Sequence, residues 1–199
     1  MVEQSKLKCD FVQGAVNHRL LFGGGRGQDL PKAVGMKGGQ SPSIIDATAG
    51  LGRDAFLLAS LGSQVTLIER SDIIHALLAD GIKAARKAGG RHKEISDRMT
   101  LIHGDSISLL PQMHADAVVI DPMHPLRQKS ALVKGEMRAI RTIVGVDDDQ
   151  RSLIETALAM ASKRVVLKWP AKAAPLDDLR QASHQIIGKS IRYDVFMTG

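Results

Sequence analysis

Apolar residues in this chain gather in short, β-branched runs set between longer stretches with helical spacing. Ser43 to Ala47, Gln64 to Glu69, Met99 to His103, Asp116 to Asp121 and Lys163 to Lys168 each hold such a run and read as buried strands. Between them the spacing predicts a helix over Arg53 to Leu61, ended by Gly62. A longer helix runs from a Ser71 cap to about Ala88, where Gly89-Gly90 stop it and Arg91, His92 and Lys93 are expected in a loop. A short helix follows Asp105 and reaches Met113, and Asp147-Asp148-Asp149 open another, with acids at its positive end. Gln128 to Ile143 has helical character, and Pro175 to about Ser183 reads as the last helix. Gln185 to Ile187 and Arg192 to Met197 form a closing strand pair around Gly188. Strands alternating with helices predict an α/β fold. It is a doubly wound, mostly parallel sheet of seven strands, with an antiparallel insertion at the C-terminal end.

The strand ends carry the chemistry. Val118-Val119-Ile120 stops at Asp121-Pro122-Met123-His124-Pro125, because Pro122 cannot extend a central ladder. A carboxylate and a stiff loop therefore stand at the carboxyl edge of the sheet, where open α/β folds bind ligands. Asp46, Glu69 and Asp105 end other strands, and each taken alone is as well read as a helix cap or a solvated acid. Together they line one edge. Gly50 and Gly52 let a ligand approach the backbone, and Glu69, some twenty residues on, suits ribose hydroxyls. A dinucleotide and S-adenosylmethionine both fit that pattern. The three-glycine dinucleotide fingerprint is missing, since Ala55 stands where the third glycine belongs. Asp46 and Asp54 beside the turn oppose a pyrophosphate and suit a cationic sulfonium.

At the second edge, the Asp121 carboxylate and the Pro122 carbonyl can accept hydrogens from an exocyclic amine, leaving its lone pair open to a methyl group. Nothing in the sequence raises the pKa of Asp121, so strong-base deprotonation is not expected of it. His124 can stack on a base, and is equally read as an exposed loop residue. No cysteine lies near the loop, which disfavours a cysteine-nucleophile route, and the histidines lack metal-ligand spacing, so no metal is expected.

A formal net charge of +6 suits a polyanionic partner. The glycine-rich residues 1–40 read as a basic arm ahead of a catalytic domain at 41–199, with the first eight residues a solvated leader. Cys9, the single cysteine, permits no internal disulfide and points to a reducing, cytoplasmic setting. No apolar run is long enough to span a membrane, and no signal-peptide core is expected at the N-terminus.

Several motifs stand in an order that resembles one family. They are Phe22-Gly23-Gly24-Gly25-Arg26-Gly27, Asp46-Ala47-Thr48-Ala49-Gly50-Leu51-Gly52-Arg53-Asp54-Ala55-Phe56 and Asp121-Pro122-Met123-His124-Pro125. Gln128-Lys129-Ser130-Ala131-Leu132-Val133-Lys134, Glu136-Met137-Arg138 and Lys163-Arg164-Val165-Val166 follow. The set resembles the bacterial RsmJ family of small-subunit (16S) ribosomal RNA guanine-N2 methyltransferases. The resemblance implies a Rossmann-like class I methyltransferase fold, S-adenosylmethionine as donor, and 16S rRNA or the 30S subunit as partner. It implies cofactor contacts at Arg53 and Asp54, Glu69 and Arg70, Asp105 and Ser106, and Asp121; Arg53, Arg70 and Ser106 come from the resemblance more than from the strand-end reading. Arg26, Arg127, Lys129, Lys134 and Arg138 are then the cations expected on RNA phosphates. The chain departs from the pattern at His124, where the family usually has phenylalanine. Family members also usually carry a further segment ahead of the stretch matching Lys6 to Gly14. An adenine or DNA amino-methyltransferase, or an RNA-binding module that retains only the scaffold, remain the competing readings.

Overall fold

The computed structural model describes residues 7–13, 16–19, 24–122, 149–176 and 179–199. Seven strands form one sheet in the order β3-β2-β1-β4-β5-β7-β6. They are β1 (Ile44–Asp46), β2 (Val65–Glu69), β3 (Met99–His103), β4 (Ala117–Ile120), β5 (Arg164–Pro170), β6 (His184–Ile187) and β7 (Ile191–Met197). β1 to β5 pair in parallel, while β7 runs antiparallel to both β5 and β6. The helices are α1 (Asp29–Ala33), α2 (Arg53–Ser60), α3 (Asp72–Ala88), α4 (Gly90–Ser96), α5 (Ser106–Leu109) and α6 (Gln150–Met160). None among the described residues is long and apolar enough to cross a membrane.

Period-two alternation along the strands feeds two cores, one on each face. Ile44, Leu67, Val119, Val166 and Val195 pack with α2 and α3 on the first face. Ile45, Ile68, Val118, Ile120, Leu167 and Phe196 pack with Leu153, Ile154 and Ala157 of α6 on the second. The chain walks outward from β1 through β2 to β3, then returns to β4 beside β1 and walks the other way. That reversal opens a crevice above the carboxyl ends of β1 and β4.

The N-terminal residues join this frame. Leu7 is buried rather than solvated, Phe11 stacks on Phe56 with ring centroids 4.5 Å apart, and Leu30, Ala33, Val34 and Met36 complete the first core. Two local expectations fail for physical reasons. The basic stretch at 91–93 is helical, because Gly89 (φ 74, ψ −170) breaks the chain for a single residue and Ile95 then anchors α4 in the core. The described residues of 175–183 form no helix. Tertiary partners stitch this segment and its approach to the sheet edge instead. Arg192 Nη1 donates to Pro170 O and Ala173 O, Trp169 Nε1 to Ala174 O, Arg180 to Met197 O and Ser183 N to Val195 O. Trp169 is thus a packed residue of the second core. The helix expected over Gln128 to Ile143 lies outside the described residues.

Candidate active site

The crevice is lined by the turns that follow the strands: Ala47, Thr48 and Gly50 after β1, Glu69 and Arg70 at β2, Gly104, Asp105 and Ser106 after β3, and Asp121 and Pro122 after β4. Asp149, Gln150 and Leu153 close it from α6, and it encloses about 640 Å³, part of it open to solvent. Gly50 has φ +53, and a Cβ there would meet nothing nearer than Thr48 O at 3.9 Å. The space of a side chain is therefore left to the crevice.

Glu69 is buried and accepts from Gly50 N at 2.9 Å and Ser71 N at 2.8 Å, so it shapes the glycine turn. Each of its oxygens retains a second lone pair for a ligand hydroxyl. Burial raises its pKa, against those two amides and the charge of Arg70. Asp105 caps α5 through Ile107 N at 3.2 Å. Ser106 Oγ donates to Ala47 O at 2.7 Å and ties the ends of β1 and β3 together. Arg70 meets Asp149 at 2.7 Å, joining the ends of β2 and α6.

A charged network approaches from the first-core side. Ile45, Ile120 and Leu167 all belong to the second core, so alternation sends the next residues, Asp46, Asp121 and Lys168, to the opposite face. Lys168 Nζ donates to Asp121 Oδ2 at 2.6 Å and to Asp54 Oδ2 at 2.8 Å. Arg19 donates to Asp54 Oδ1 at 2.8 Å and to Gln28 Oε1 at 2.9 Å. Thr48 links the two strand ends, its amide donating to Asp46 Oδ1 at 3.2 Å and its hydroxyl accepting from Asp121 N at 2.7 Å.

Burial pushes Asp54 up, but Lys168 and Arg19 outweigh it and hold the carboxyl below its usual range. Burial would depress Lys168, yet Asp121 and Asp54 raise it well above the ordinary lysine value. Asp46 makes no ion pair among the described residues: burial, then the charge of Asp54, raises it to about 7, against the Thr48 amide and the charge of Lys168. Burial likewise raises Asp121, with the Lys168 ammonium pulling it back. Asp46 thus titrates near neutrality, and an added positive charge would favour its ionised form. The network's carboxylates suit a cationic sulfonium and amine, and Gly50 and Glu69 suit the sugar end.

The family described as "Putative SAM-dependent methyltransferase" matches residues 1–198. Ribosomal RNA small subunit methyltransferase J of Agrobacterium fabrum is 63% identical over 198 residues, covering 99% of this chain and 95% of that protein. The Shewanella loihica protein of the same name is 48% identical over 200 residues, covering 98% of this chain and 77% of its own. This chain belongs to that SAM-dependent methyltransferase family. The crystal structure of the SAM-dependent methyltransferase NGO1261 from Neisseria gonorrhoeae superposes with a TM-score of 0.75 at 34% identity, covering 96% of this chain and 74% of that one. The glycopeptide N-methyltransferase MtfA shares the fold, with a TM-score of 0.50 at 20% identity, covering 95% of this chain and 68% of its own.

In this methyltransferase, Gly50, Glu69, Arg70, Asp105, Ser106, Asp121 and Pro122 meet around the crevice, with Asp46 buried beside Thr48. Gly52 does other work. Its φ is +67, and a Cβ would lie 2.7 Å from Leu78 Cδ1, so the glycine seats α2 against α3. Arg53 lies exposed on a separate groove with Lys8, Asp10 and Gln13. Asp54 faces Lys168 and Arg19. Arg26, expected on RNA, donates to Gln40 O, Ser41 Oγ and Leu61 O and pins the glycine-rich segment to α2. His124, Arg127, Lys129, Lys134 and Arg138 lie outside the described residues.

Sequence reasoning missed Lys168, Arg19, Thr48 and Asp149. A signal for Lys168 did exist: a lone cation one residue before Trp169, in a strand otherwise apolar from Val165. The expectation that nothing raises the pKa of Asp121 is corrected: desolvation by the surrounding protein raises it, against the Lys168 ammonium, although the side chain itself stays half exposed.

Proposed function

We propose that the chain transfers a methyl group from S-adenosylmethionine to the exocyclic N2 amine of a guanosine in 16S ribosomal RNA. The observation that carries this reading is the placement of Asp121 and Pro122, an amine-holding pair, on the wall of the crevice that also holds Glu69 and Asp105. The names of the relatives supply the RNA, and the net charge of +6 agrees with a polyanionic substrate.

Asp46, Gly50, Glu69, Asp105 and Ser106 would hold the donor. When bound, it supplies a methyl carbon on a sulfonium and leaves as the neutral thioether. The acceptor nitrogen gains that methyl and gives up one proton, and these residues need only hold its lone pair on line. Asp121 and the Pro122 carbonyl accept the amine hydrogens. An ammonium on Asp121 makes it a steady acceptor and a weak base, so the proton leaves to water after transfer.

The test is methyl transfer from labelled S-adenosylmethionine to 30S subunits, bare 16S rRNA and duplex DNA, with nucleoside analysis. N2-methylguanosine in either ribosomal sample is expected; N6-methyladenine, or transfer to DNA alone, would overturn the assignment. Asp121→Ala is expected to abolish transfer while the fold survives. Wild-type turnover by that variant would reject the role given to Asp121.

A further inference from the structure

Asp121 stands where two systems meet. On one side it lines the crevice; on the other its Oδ2 accepts from Lys168. Lys168 is held in turn. Its side chain is 17% exposed, it sits in β5 opposite Tyr193, and its second bond goes to Asp54, whose other oxygen is taken by Arg19. Register explains why Lys168 reaches Asp121: Leu167 pairs with Ile120, so the next residue of each strand stands side by side. This chain of bonds runs from β4 through β5 and α2 to the helical turn at 16–19.

We propose that Lys168 is a positioning residue for methyl transfer: it holds one oxygen of Asp121, leaves the other to the acceptor amine, and anchors that carboxylate through Asp54 to Arg19. The proposal rests on the reading that Asp121 receives the amine. A carboxylate half exposed at a strand end, followed by proline, has no packing of its own to fix its rotation. The largely enclosed Lys168 ammonium fixes it and favours its ionised form, and only the ionised form accepts hydrogens at both oxygens. The other charged and titratable groups facing Asp121 among the described residues cannot substitute. Asp46 from β1 and Asp54 from α2 share its sign, Arg19 is committed to Asp54, and the Tyr193 phenol of β7 is raised to about 12 and stays neutral.

The measurement is the pH profile of kcat and the KM for S-adenosylmethionine, with 30S subunits as acceptor, for wild type, Lys168→Met, Lys168→Gln, Lys168→Arg and Asp121→Ala. Loss of an opposite charge in contact moves a carboxyl by about one to three pH units. The acid limb of kcat is therefore expected to rise by at least about one unit in the Met and Gln variants. KM for the cofactor stays within about threefold, because binding energy common to ground and transition states is untouched. Arginine is expected to restore the limb. A wild-type profile in Lys168→Met, or a loss that is equal at every pH and unrescued by arginine, overturns the proposal. If thermal melting shows that Lys168→Met has not folded, the Gln variant decides by the same two criteria. Asp121→Ala separates the two readings. Full turnover there removes the amine-holding role itself, whereas a dead Asp121→Ala beside an unaltered Lys168→Met removes only the positioning role.

Discussion

Replacing Asp46 with asparagine should stabilise the cofactor-free protein at neutral and alkaline pH, although it removes a carboxylate from the centre of the site. The side chain is buried, with the residue 5% exposed, and its pKa rises from 3.8 to about 7 through burial and the neighbouring Asp54. Each unit is worth 1.36 kcal/mol, so the rise corresponds to about 4 kcal/mol. Between those two values the folded chain binds more protons than the unfolded chain, and stability falls as pH rises. Below about pH 4 the penalty is absent, because both states are protonated; above about pH 7 it stands in full. Asparagine never ionises, and its Oδ1 still accepts from Thr48 N. The difference between variant and wild type should therefore grow from near zero at pH 4 to a gain of up to about 4 kcal/mol at pH 8. Urea unfolding followed by far-ultraviolet circular dichroism at several pH values measures it, and other titrating groups cancel in the difference. Saturating S-adenosylmethionine should narrow the gap, since a bound cation rewards the ionised aspartate. An Asp46→Asn protein less stable than wild type at pH 8, or a difference that does not change with pH, would refute the reasoning.

Two further outcomes follow from single contacts. Glu69→Ala leaves the Gly50 and Ser71 amides unpaired and should weaken cofactor binding by roughly 1–3 kcal/mol, read by calorimetry; unchanged affinity would count against the role of Glu69. Gly52→Ala must hold a left-handed φ of +67 and place a methyl 2.7 Å from Leu78 Cδ1 and 3.2 Å from Phe11 Cζ. It should cost about 2–4 kcal/mol in chemical denaturation, and a loss below about 0.5 kcal/mol would show that α2 and α3 can part freely.

The sheet was legible because its central strands are buried on both faces and so stand out as continuous apolar runs: β1 and β4 are buried at every residue, and β3, although half-exposed at one end of the sheet, still spans Met99–His103, the stretch the sequence predicts. Ser71 likewise caps its helix through Ile74 N. Where local and tertiary forces compete, local reasoning loses. Residues from Pro175 onward have helical spacing, yet the backbone around them is taken up by Arg192, Trp169, Arg180 and β7. The Arg192–Asp194 pair that makes this clamp lies within β7 and is nearly excluded from solvent. Its effect falls some twenty residues upstream, and no spacing rule connects the two. Residues 7–13 alternate apolar and polar side chains within a glycine-rich, basic segment and so look like part of an arm, but Phe11 and Cys9 fill contacts that Phe56 and Gly81 leave open.

The site divides along the same line. Acids at strand ends announce themselves, because a carboxylate after a buried run has no place in a core. Their partners do not. Lys168 lies 47 residues beyond Asp121 and 114 beyond Asp54, and only the parallel register of β4 and β5 brings the three together. The register itself is readable once the sheet is accepted. Leu167 must face the second core with Ile120, so Lys168 must emerge beside Asp121. A lysine at that position, between two carboxylates with a third close by, is costly to bury and would be replaced by an apolar residue if packing alone mattered. Its presence therefore argues that the charge is retained for what it does to Asp121, and the pH profile of its variants reads that effect directly.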